Sequence, residues 1–333
     1  MKRAIALLAA LLACAAVTFG MAGPAAAGLT DILDQAREKI GPVLLGRDIL
    51  TLPDQEVTLE ASLRSGLRLT GIEGKRVQFL LDNQTLGEVR TNKSGDVAVK
   101  WKVPAKPGDY RITVRLNPQD QPEKPIADTD LLLGARKAET PMVVVDLDRT
   151  VVASGFTWVL LGGAKPMAGS STVMQHLAKD HTVVYLTHRI DFLGPSSKQW
   201  LTDNGFPAGP VLTSTLGGLL SGSGTYKTGR LEAIRQTFKN VAVGIGDKCS
   251  DAKAYADNGM RAILILQVDW SETDPEYYEK VAAELAALPD AVQVVSNWSQ
   301  ISAILFNKVS CPKQEMETRI RDLAKELRAR KKD

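Results

Sequence analysis

Two aspartates separated by one residue follow a short apolar run near the middle of the sequence. Residues 142–145 are Met-Val-Val-Val, and Asp146 and Asp148 come directly after them. A continuous β-branched run predicts a strand that is buried on both faces of a parallel sheet. Open α/β sheets bind ligands beyond the carboxyl ends of their strands. Two buried carboxylates without a counter-ion would be costly, whereas Mg²⁺ prefers oxygen ligands. The aspartate pair therefore predicts a Mg²⁺ site at this strand end.

The chain around this pair alternates between apolar runs and segments with helical spacing. The apolar runs predict strands at 142–145, 182–186, 211–212, 241–245 and 262–266. Helical spacing of apolar residues predicts helices at 170–179, 195–204, 229–238 and from about residue 251. Strands and helices that alternate in this way predict an α/β fold with a doubly wound parallel sheet.

Four groups of polar residues occur in a fixed order along this region. They are Asp146-x-Asp148-x-Thr150, Thr187 after the second strand, Lys227 before a helix, and Gly246-Asp247-x-x-x-Asp251 after a later strand. This order resembles the four motifs of the haloacid dehalogenase-like (HAD) phosphatases, and the resemblance covers about residues 140–300. It implies an HAD-like phosphatase domain over residues 142–308.

The resemblance implies a catalytic role for four of these residues. Asp146 would attack phosphorus and form an aspartyl-phosphate, and Asp148 would protonate the leaving oxygen and later activate water. Thr187 would hydrogen-bond the transferred phosphoryl group, and Lys227 would balance the charge on Asp146 and the phosphate. The chemistry agrees, because a carboxylate is a competent nucleophile toward phosphorus when a cation neutralises the incoming anion.

The same resemblance implies the ligands of the Mg²⁺ ion. They would be the carboxylates of Asp146, Asp247 and Asp251 together with the backbone carbonyl of Asp148. Structural explanations stay open for single residues, since Asp148 and Asp251 could cap a turn or a helix. Lys227 could be a solvated loop lysine.

Four residues in or beside the motifs are candidates for substrate binding: Arg149, Thr150, His188 and Arg189. Arg149 stands where the family commonly has glycine or another small residue. Its guanidinium could bind a second anionic group or point into solvent. Arg189 or Lys248 could instead supply positive charge in place of Lys227.

The spacing of the motifs bears on the substrate. HAD enzymes that act on small metabolites usually insert a cap domain between the first and third motifs. About 36 residues separate Thr150 from Thr187, and about 39 separate Thr187 from Lys227, and the predicted core elements use most of both stretches. We therefore expect a capless, open site that favours a large or surface-bound phosphate ester.

Within the superfamily, several short stretches look like the lipin group and its actin-patch-protein relatives. These stretches lie at residues 185–189, 200–201, 206–212 and 251–255. The resemblance implies phosphatidate phosphatase activity. Alternatives are a phosphoprotein or nucleotide phosphatase, and a binding protein that kept the fold and lost turnover.

The chain begins with the pattern of a secretory signal peptide. Lys2 and Arg3 precede an apolar stretch from Ala4 to Val17, and a small-residue site precedes Gly28. This predicts a signal peptide over 1–27 and export to the periplasm or the extracellular space. The apolar stretch of about 14 residues is short of the roughly 20 that a spanning helix needs. A lipoprotein anchored through Cys14 is the less favoured alternative.

Residues 28–141 carry a different pattern. Helical spacing at 29–40 predicts a lead-in helix within 28–48, and alternating residues at 57–63, 97–103 and 110–116 predict strands. The stretch from Gly87 to Val114 looks like the bacterial Ig-like domains. We therefore expect an all-β Ig-like sandwich over 49–135 and a linker over 136–141.

Composition and the remaining features narrow the function classes. Hydrophobic residues make up 44% and charged residues 24% of the 333 residues, which excludes a mostly disordered chain. A net charge of +3 gives no support for nucleic-acid binding. Residues 309–333 predict a charged helix, either solvated or in peripheral contact with anionic lipid. Cys249 and Cys311 could pair or stay free, and no pattern predicts an oligomeric state.

Overall fold

A computed structural model describes residues 41–65, 70–154, 163–215 and 222–331. The statements on structure below concern these ranges. The predicted signal peptide, the Cys14 alternative and the helix predicted at 29–40 lie outside the described residues.

Two sheets form the N-terminal module. The first contains β1 (Val43–Gly46), β3 (Glu56–Ser65), β4 (Thr70–Gly71) and β7 (Asp96–Lys102). The second contains β2 (Ile49–Thr51), β5 (Arg76–Leu81), β6 (Gln84–Arg90), β8 (Gly108–Leu116) and β9 (Thr129–Ala135), in the order β2-β9-β8-β5-β6. All pairs are antiparallel except β2 with β9. The described residues thus place an all-β module before the α/β domain.

Alternating apolar residues bring the two sheets together. Leu59 and Leu63 of β3 and Ile112 and Val114 of β8 are buried in one core. The module begins before the predicted boundary at residue 49, because β1 already pairs with β3 through Leu44 and Leu63. The short β1 has no alternating pattern of its own, so sequence patterns place it within the lead-in segment. The Ig-like relationship of this module stays a prediction.

The second module is built on a parallel six-stranded sheet. Its strands are β10 (Met142–Val145), β11 (Thr182–Ile190), β12 (Val211–Ser214), β13 (Val241–Gly246), β14 (Arg261–Ile265) and β15 (Gln293–Val295). They lie in the order β12-β11-β10-β13-β14-β15. The strand order reverses between β10 and β13, and such a switch point is where open α/β sheets bind ligands. The parallel sheet confirms the α/β part of the predicted fold class.

Seven helices of the described residues accompany this sheet. They are α1 (Ser170–Leu177), α2 (Gly194–Asp203), α3 (Ser223–Thr237), α4 (Cys249–Asp257), α5 (Pro275–Ala286), α6 (Trp298–Phe306) and α7 (Lys313–Arg330). Met142 and Val144 contact the apolar cluster of α3, α4, α5 and α7. Val143 and Val145 contact the cluster of α1, α2 and α6 on the other face. Helices on both faces make the sheet doubly wound.

Helix α3 differs from the prediction at its start. It begins at Ser223, whereas the apolar spacing predicts a helix from residue 229. Its buried apolar positions begin only at Leu231, so the first two turns carry no helical pattern. The difference matters because Lys227 lies in this helix and is not a loop residue.

The all-β module packs against β12, the edge strand of the parallel sheet. The Asp48 carboxylate accepts hydrogen bonds from the Leu132 and Val211 backbone N–H groups and from Lys198 Nζ. Arg136 Nε also donates to Thr182 Oγ1 at the start of β11. The bond from Val211 occupies a backbone N–H of the edge strand that would otherwise be open to pairing with another chain.

The two cysteines of the second module are free. Cys249 packs with the cluster on one face of the sheet, and Cys311 packs with the cluster on the other. The sheet lies between them, so they do not pair.

The charged C-terminal segment is a packed helix. Ile320 and Ala324 of α7 are buried, and α7 lies along α5. Arg328 of α7 and Glu279 of α5 form a forked ion pair between the two helices. Within the described residues, no helix is both long and apolar enough to span a membrane.

Candidate active site

Three carboxylates meet at the carboxyl ends of β10 and β13. The two strands are parallel with Val145 opposite Ile245, so Asp146 and Asp247 follow neighbouring strand ends. Asp251 lies in the first turn of α4, and one oxygen of each of the three aspartates lies within 4.8 Å of the others. The structure therefore brings together the three side chains that the motifs predicted as Mg²⁺ ligands.

Gly246 makes this approach possible. A Cβ atom at this position would lie 2.8 Å from Asp251 Cβ, a distance that real Cβ atoms do not show. The glycine in the fourth motif therefore has a steric reason, because a side chain there would push Asp251 away from the cluster.

Lys227 is buried between two of the carboxylates. Its Nζ lies 2.9 Å from Asp146 Oδ1 and 2.6 Å from Asp251 Oδ2, and 1% of the side chain is exposed. Burial alone would lower the pKa of Lys227, but the adjacent carboxylates outweigh it and raise this pKa above its ordinary value. Lys227 is therefore a charged member of the site, and the alternative of a solvated loop lysine is wrong.

One lysine does not balance three carboxylates. Burial, and then the neighbouring Asp146 and Asp251, raise the pKa of Asp247 to about 7. Burial likewise raises the pKa of Asp146. The Oδ1 atoms of Asp247 and Asp251 are buried and accept no hydrogen bond. Unpaired buried carboxylate oxygens are costly unless they coordinate a cation, so the donor set fits a hard divalent ion such as Mg²⁺.

Asp148 lies outside this cluster and has a different partner. Arg189 Nε donates to Asp148 Oδ2 at 3.0 Å, and Arg189 Nη2 donates to Asp148 Oδ1 at 2.7 Å. Arg189 Nη1 donates to Ser197 Oγ at 2.7 Å. The side chain of Asp148 is 29% exposed, whereas that of Arg189 is 3% exposed. The predicted acid–base residue thus reaches solvent while its partner is buried.

Thr187 lies on the strand beside the predicted nucleophile. Val145 pairs with Tyr185 in the parallel ladder, so Thr187 lies two residues further toward the carboxyl edge. Its side chain is buried, and its Oγ1 accepts a hydrogen bond from the Arg189 backbone N–H.

The other candidate substrate-binding residues occupy three different environments. Arg149 is exposed and has a φ of +53°, a left-handed conformation that favours glycine. Thr150 is fully buried, and its carbonyl accepts from Trp298 Nε1 at 2.7 Å. The ring of His188 packs against Tyr226 with 5.5 Å between the centroids. Substrate binding by these three residues and by Arg189 stays a prediction.

Sequence reasoning missed the supporting residues of the site. Ser197 holds Arg189 from eight residues further along the chain, and Trp298 holds the Thr150 carbonyl from 148 residues away. Tyr255 is buried against Gly244, where a Cβ atom would come within 2.2 Å of its ring. Only the glycine in the middle of an apolar strand signalled such a close approach.

Comparison with solved structures gives only weak similarities. The D0–D1 domain of intimin has a TM-score of 0.21 and 11% identity, over 28% of this chain and 45% of that chain. A chimeric titin Z1Z2 has a TM-score of 0.20 and 12% identity, over 29% of this chain and 96% of that chain. A Bifidobacterium dentium β-glucuronidase has a TM-score of 0.26 and 10% identity, over 76% of this chain and 43% of that chain. Scores this low carry no argument about fold or function.

No curated protein matches this chain. The chain spans less than half of the intimin fragment with which it aligns.

A family model matches the region that contains the site. Residues 143–269 match the LNS2 domain of PITM 1–3, and this range is less than half of the chain. It includes every residue predicted above for catalysis, metal binding or substrate binding. The LNS2 domain belongs to the HAD-like superfamily and is related to the lipin phosphatases. Residues 143–269 are therefore similar to the LNS2 domain, a domain of the HAD-like superfamily, and they contain a largely buried acidic triad that could bind a metal ion.

Proposed function

We propose that this protein is a Mg²⁺-dependent phosphomonoester hydrolase that acts through an aspartyl-phosphate on Asp146. The observation that carries the proposal is the buried cluster in which Lys227 and three aspartates meet. A purely structural cluster would have balanced charges, whereas this one has two carboxylate oxygens without a partner. The LNS2 domain that residues 143–269 match is related to the lipin phosphatases, and this relation supports the same proposal.

The residues that would hold Mg²⁺ are Asp146, Asp247 and Asp251, with the backbone carbonyl of Asp148. When bound, the ion would supply positive charge that neutralises the incoming phosphate.

Each side chain then has a separate task. Lys227 hydrogen-bonds Oδ1 of Asp146, which leaves Oδ2 to attack phosphorus. As the bond from phosphorus to the leaving oxygen breaks, Asp148 gives that oxygen a proton. Asp148 then takes a proton from water, which attacks phosphorus, releases phosphate and restores Asp146. The Thr187 hydroxyl donates a hydrogen bond to the phosphoryl group during both steps.

We propose that the substrate is a lipid phosphate such as phosphatidate. Described residues between the motifs belong to the core elements α1, β11, α2 and β12 and form no cap domain. A site without a cap domain among the described residues leaves room for an ester at a surface. The relation of the LNS2 domain to lipin phosphatases favours the same substrate class.

An apolar groove of about 520 Å³ also supports a substrate with an apolar part. It lies between the all-β module and the start of α2, with Phe192, Pro195, Pro125 and Ile126 in its lining. Helix α2 follows β11 and runs back along the sheet, so its first turn lies at the same edge as the aspartates.

Phosphate release across a substrate panel tests the proposal. The panel contains phosphatidate vesicles, glycerol phosphate, p-nitrophenyl phosphate, a nucleoside monophosphate and a phosphopeptide, each with and without Mg²⁺. We expect Mg²⁺-dependent release by the wild type, fastest with phosphatidate, and none by Asp146→Asn. Activity on p-nitrophenyl phosphate with none on any lipid would contradict the lipid assignment. No metal-dependent release from any ester would favour the non-catalytic binding protein.

We also propose that the protein is exported and that α7 contacts anionic lipid at the membrane surface. Arg328 is paired with Glu279, and Lys325 is paired with Asp322 but is 77% exposed, so the contact would rest on the exposed charges of Lys325 and Arg330. Deleting α7 would uncover Ile320 and the core beneath it. The double variant Lys325→Gln, Arg330→Gln is therefore the better test, with weaker binding to anionic vesicles as the expected result. Unchanged binding would refute the contact.

A further inference from the structure

Arg189 forms a fork with the carboxylate of Asp148. Two of its nitrogens, Nε and Nη2, donate to the two oxygens of the carboxylate at 3.0 and 2.7 Å. A fork of this kind fixes the plane of the carboxylate as well as its distance, which a single hydrogen bond cannot do. The orientation of the Asp148 carboxylate is therefore set by Arg189.

The guanidinium of Arg189 is itself held in place by Ser197, through the nitrogen that does not contact Asp148. Its third nitrogen, Nη1, donates to Ser197 Oγ at 2.7 Å, and Ser197 Oγ donates to the Leu193 carbonyl at 2.7 Å. Ser197 is buried in the first turns of α2. Arg189 therefore cannot turn toward a substrate without leaving Ser197 and both oxygens of Asp148.

We propose that Arg189 is a positioning residue that holds Asp148 toward the leaving group. The inference rests on the proposed function and deepens it. A carboxyl group has about four lone-pair sites, so the fork occupies one side of each oxygen and leaves the outer side free for proton transfer. The Asp148 side chain is 29% exposed and that of Arg189 is 3% exposed, which agrees with an outer side that a substrate can reach.

This role predicts a dependence on the leaving group. Nitrophenolate leaves without needing a proton, whereas an alkoxide needs one. The second step needs Asp148 for every substrate, since water must lose a proton to attack the aspartyl-phosphate. Loss of Arg189 should therefore slow every step that needs Asp148. The one step that keeps its rate should be phosphoryl transfer from p-nitrophenyl phosphate to Asp146.

The test compares Arg189→Gln with the wild type, both with Mg²⁺. With p-nitrophenyl phosphate, Arg189→Gln should release about one equivalent of nitrophenolate in a burst and then turn over slowly, with phosphoenzyme accumulating. With glycerol phosphate, kcat should fall about 100-fold, at the lower end of what general acid–base catalysis contributes. Asp148→Asn should behave alike, and the double variant should be no worse than either single variant. Arg189→Lys should rescue little, because an ammonium group cannot form the fork.

Arg328→Gln is the matched control. Arg328 also forms a fork with a carboxylate, that of Glu279, but on the exposed surface of α7. We expect wild-type kinetics from this variant with both substrates.

Crystal structures of the wild type and Arg189→Gln test the proposal without measuring activity, because they show the position of the Asp148 carboxylate. We expect the Asp148 carboxylate to leave its position in the variant. An unmoved carboxylate, or equal slowing of both substrates without a burst, overturns the proposal. If the wild type releases no phosphate but the carboxylate moves, the proposed hydrolase fails and the positioning of Asp148 by Arg189 stands.

Discussion

Two buried aspartate–lysine pairs of this chain differ in how well their charges are balanced. Asp48 at the junction of the modules meets Lys198 and two backbone N–H groups, so its carboxylate has three donors. Asp146 in the candidate site shares Lys227 with Asp251, and Asp247 lies beside them. The junction satisfies its acceptors, whereas the site leaves carboxylate oxygens unpaired.

The difference separates structural from functional charge. A buried ion pair that serves the fold is stable only when hydrogen bonds satisfy both partners. An excess of buried carboxylates destabilises the protein by itself. Such an excess is expected at functional sites, where a bound ligand such as a cation offsets the repulsion. The same residue types therefore report different roles, and the surrounding donors tell them apart.

The largest expected effect comes from removing the carboxylate that would be the nucleophile. Asp146→Asn should lower the rate of phosphate release by about 10⁴-fold or more, because an amide cannot form the aspartyl-phosphate. The same change should leave the protein folded, since it removes one of three crowded carboxylates. Phosphate release and urea unfolding of the same preparation measure the two effects. If the loss of phosphate release is explained by an equal loss of folded protein, the role of Asp146 as nucleophile is contradicted.

Removing the junction aspartate should have the opposite profile. Asp48→Ala leaves the Leu132 and Val211 N–H groups without their acceptor and leaves the Lys198 ammonium with only the Asp130 carbonyl. It should lower the free energy of unfolding by about 3–5 kcal/mol. The rate per folded molecule should not change, because no predicted site residue contacts Asp48. Urea unfolding and active-site titration measure the two quantities.

The control for this junction variant is Asp128→Ala in the same module. Asp128 pairs with Arg115 at the surface, where both side chains are more than a third exposed. Exposed pairs contribute at most about 1 kcal/mol. If both variants lose equally little stability, the junction pair is not a structural anchor.

The excess charge of the site predicts how stability changes with pH. Burial and the neighbouring carboxylates raise the pKa of Asp247 to about 7, so the folded protein binds a proton there that the unfolded chain has lost by about pH 5. Stability should therefore fall between about pH 4 and pH 7, by a total on the order of a few kcal/mol, without metal. Mg²⁺ binds the ionised form and should oppose the fall.

Urea unfolding from pH 4.5 to 8 with EDTA, and again with Mg²⁺, measures this slope. Asp247→Asn should remove most of it and should weaken the effect of Mg²⁺. The junction variant Asp48→Ala should keep the slope of the wild type. Stability that rises with pH in EDTA would mean that the three carboxylates do not repel one another as the structure indicates.

Sequence patterns predicted the residues of the candidate site better than the helix and the contacts that hold those residues in place. Buried strands announce themselves by apolar runs, and parallel strand ends share one edge, so the sequence alone suffices to place Asp146 and Asp247 together. The apolar spacing predicts a late start for helix α3, because its first two turns lack that spacing, and this leaves Lys227 in a loop. The residue types alone could not correct this.

Contacts between distant parts of the chain were beyond sequence reasoning. Asp48 meets Val211 across 163 positions, and Arg189 meets Asp148 across 41. Neither pair has a periodic signal, because only the packing of the two modules and of neighbouring strand ends brings them together. Arg189 could therefore be recognised as a residue near the site, but its partner could not be assigned.

The smallest expected effect comes from the loop after β10, which contains Arg149 between Asp148 and Thr150. Arg149, between the cluster and Thr150, has a φ of +53°, a conformation that costs a non-glycine residue about 1–2 kcal/mol. Arg149→Gly should therefore raise the free energy of unfolding by up to about 1 kcal/mol, as the relief of strain is partly offset by the greater freedom of glycine in the unfolded chain. Arg111→Gly, in the middle of strand β8, should lower it, since glycine weakens a strand. Urea unfolding measures both. If Arg149→Gly destabilises the protein as much as Arg111→Gly does, the site loop stores no strain, and the burden on the site is confined to its carboxylates.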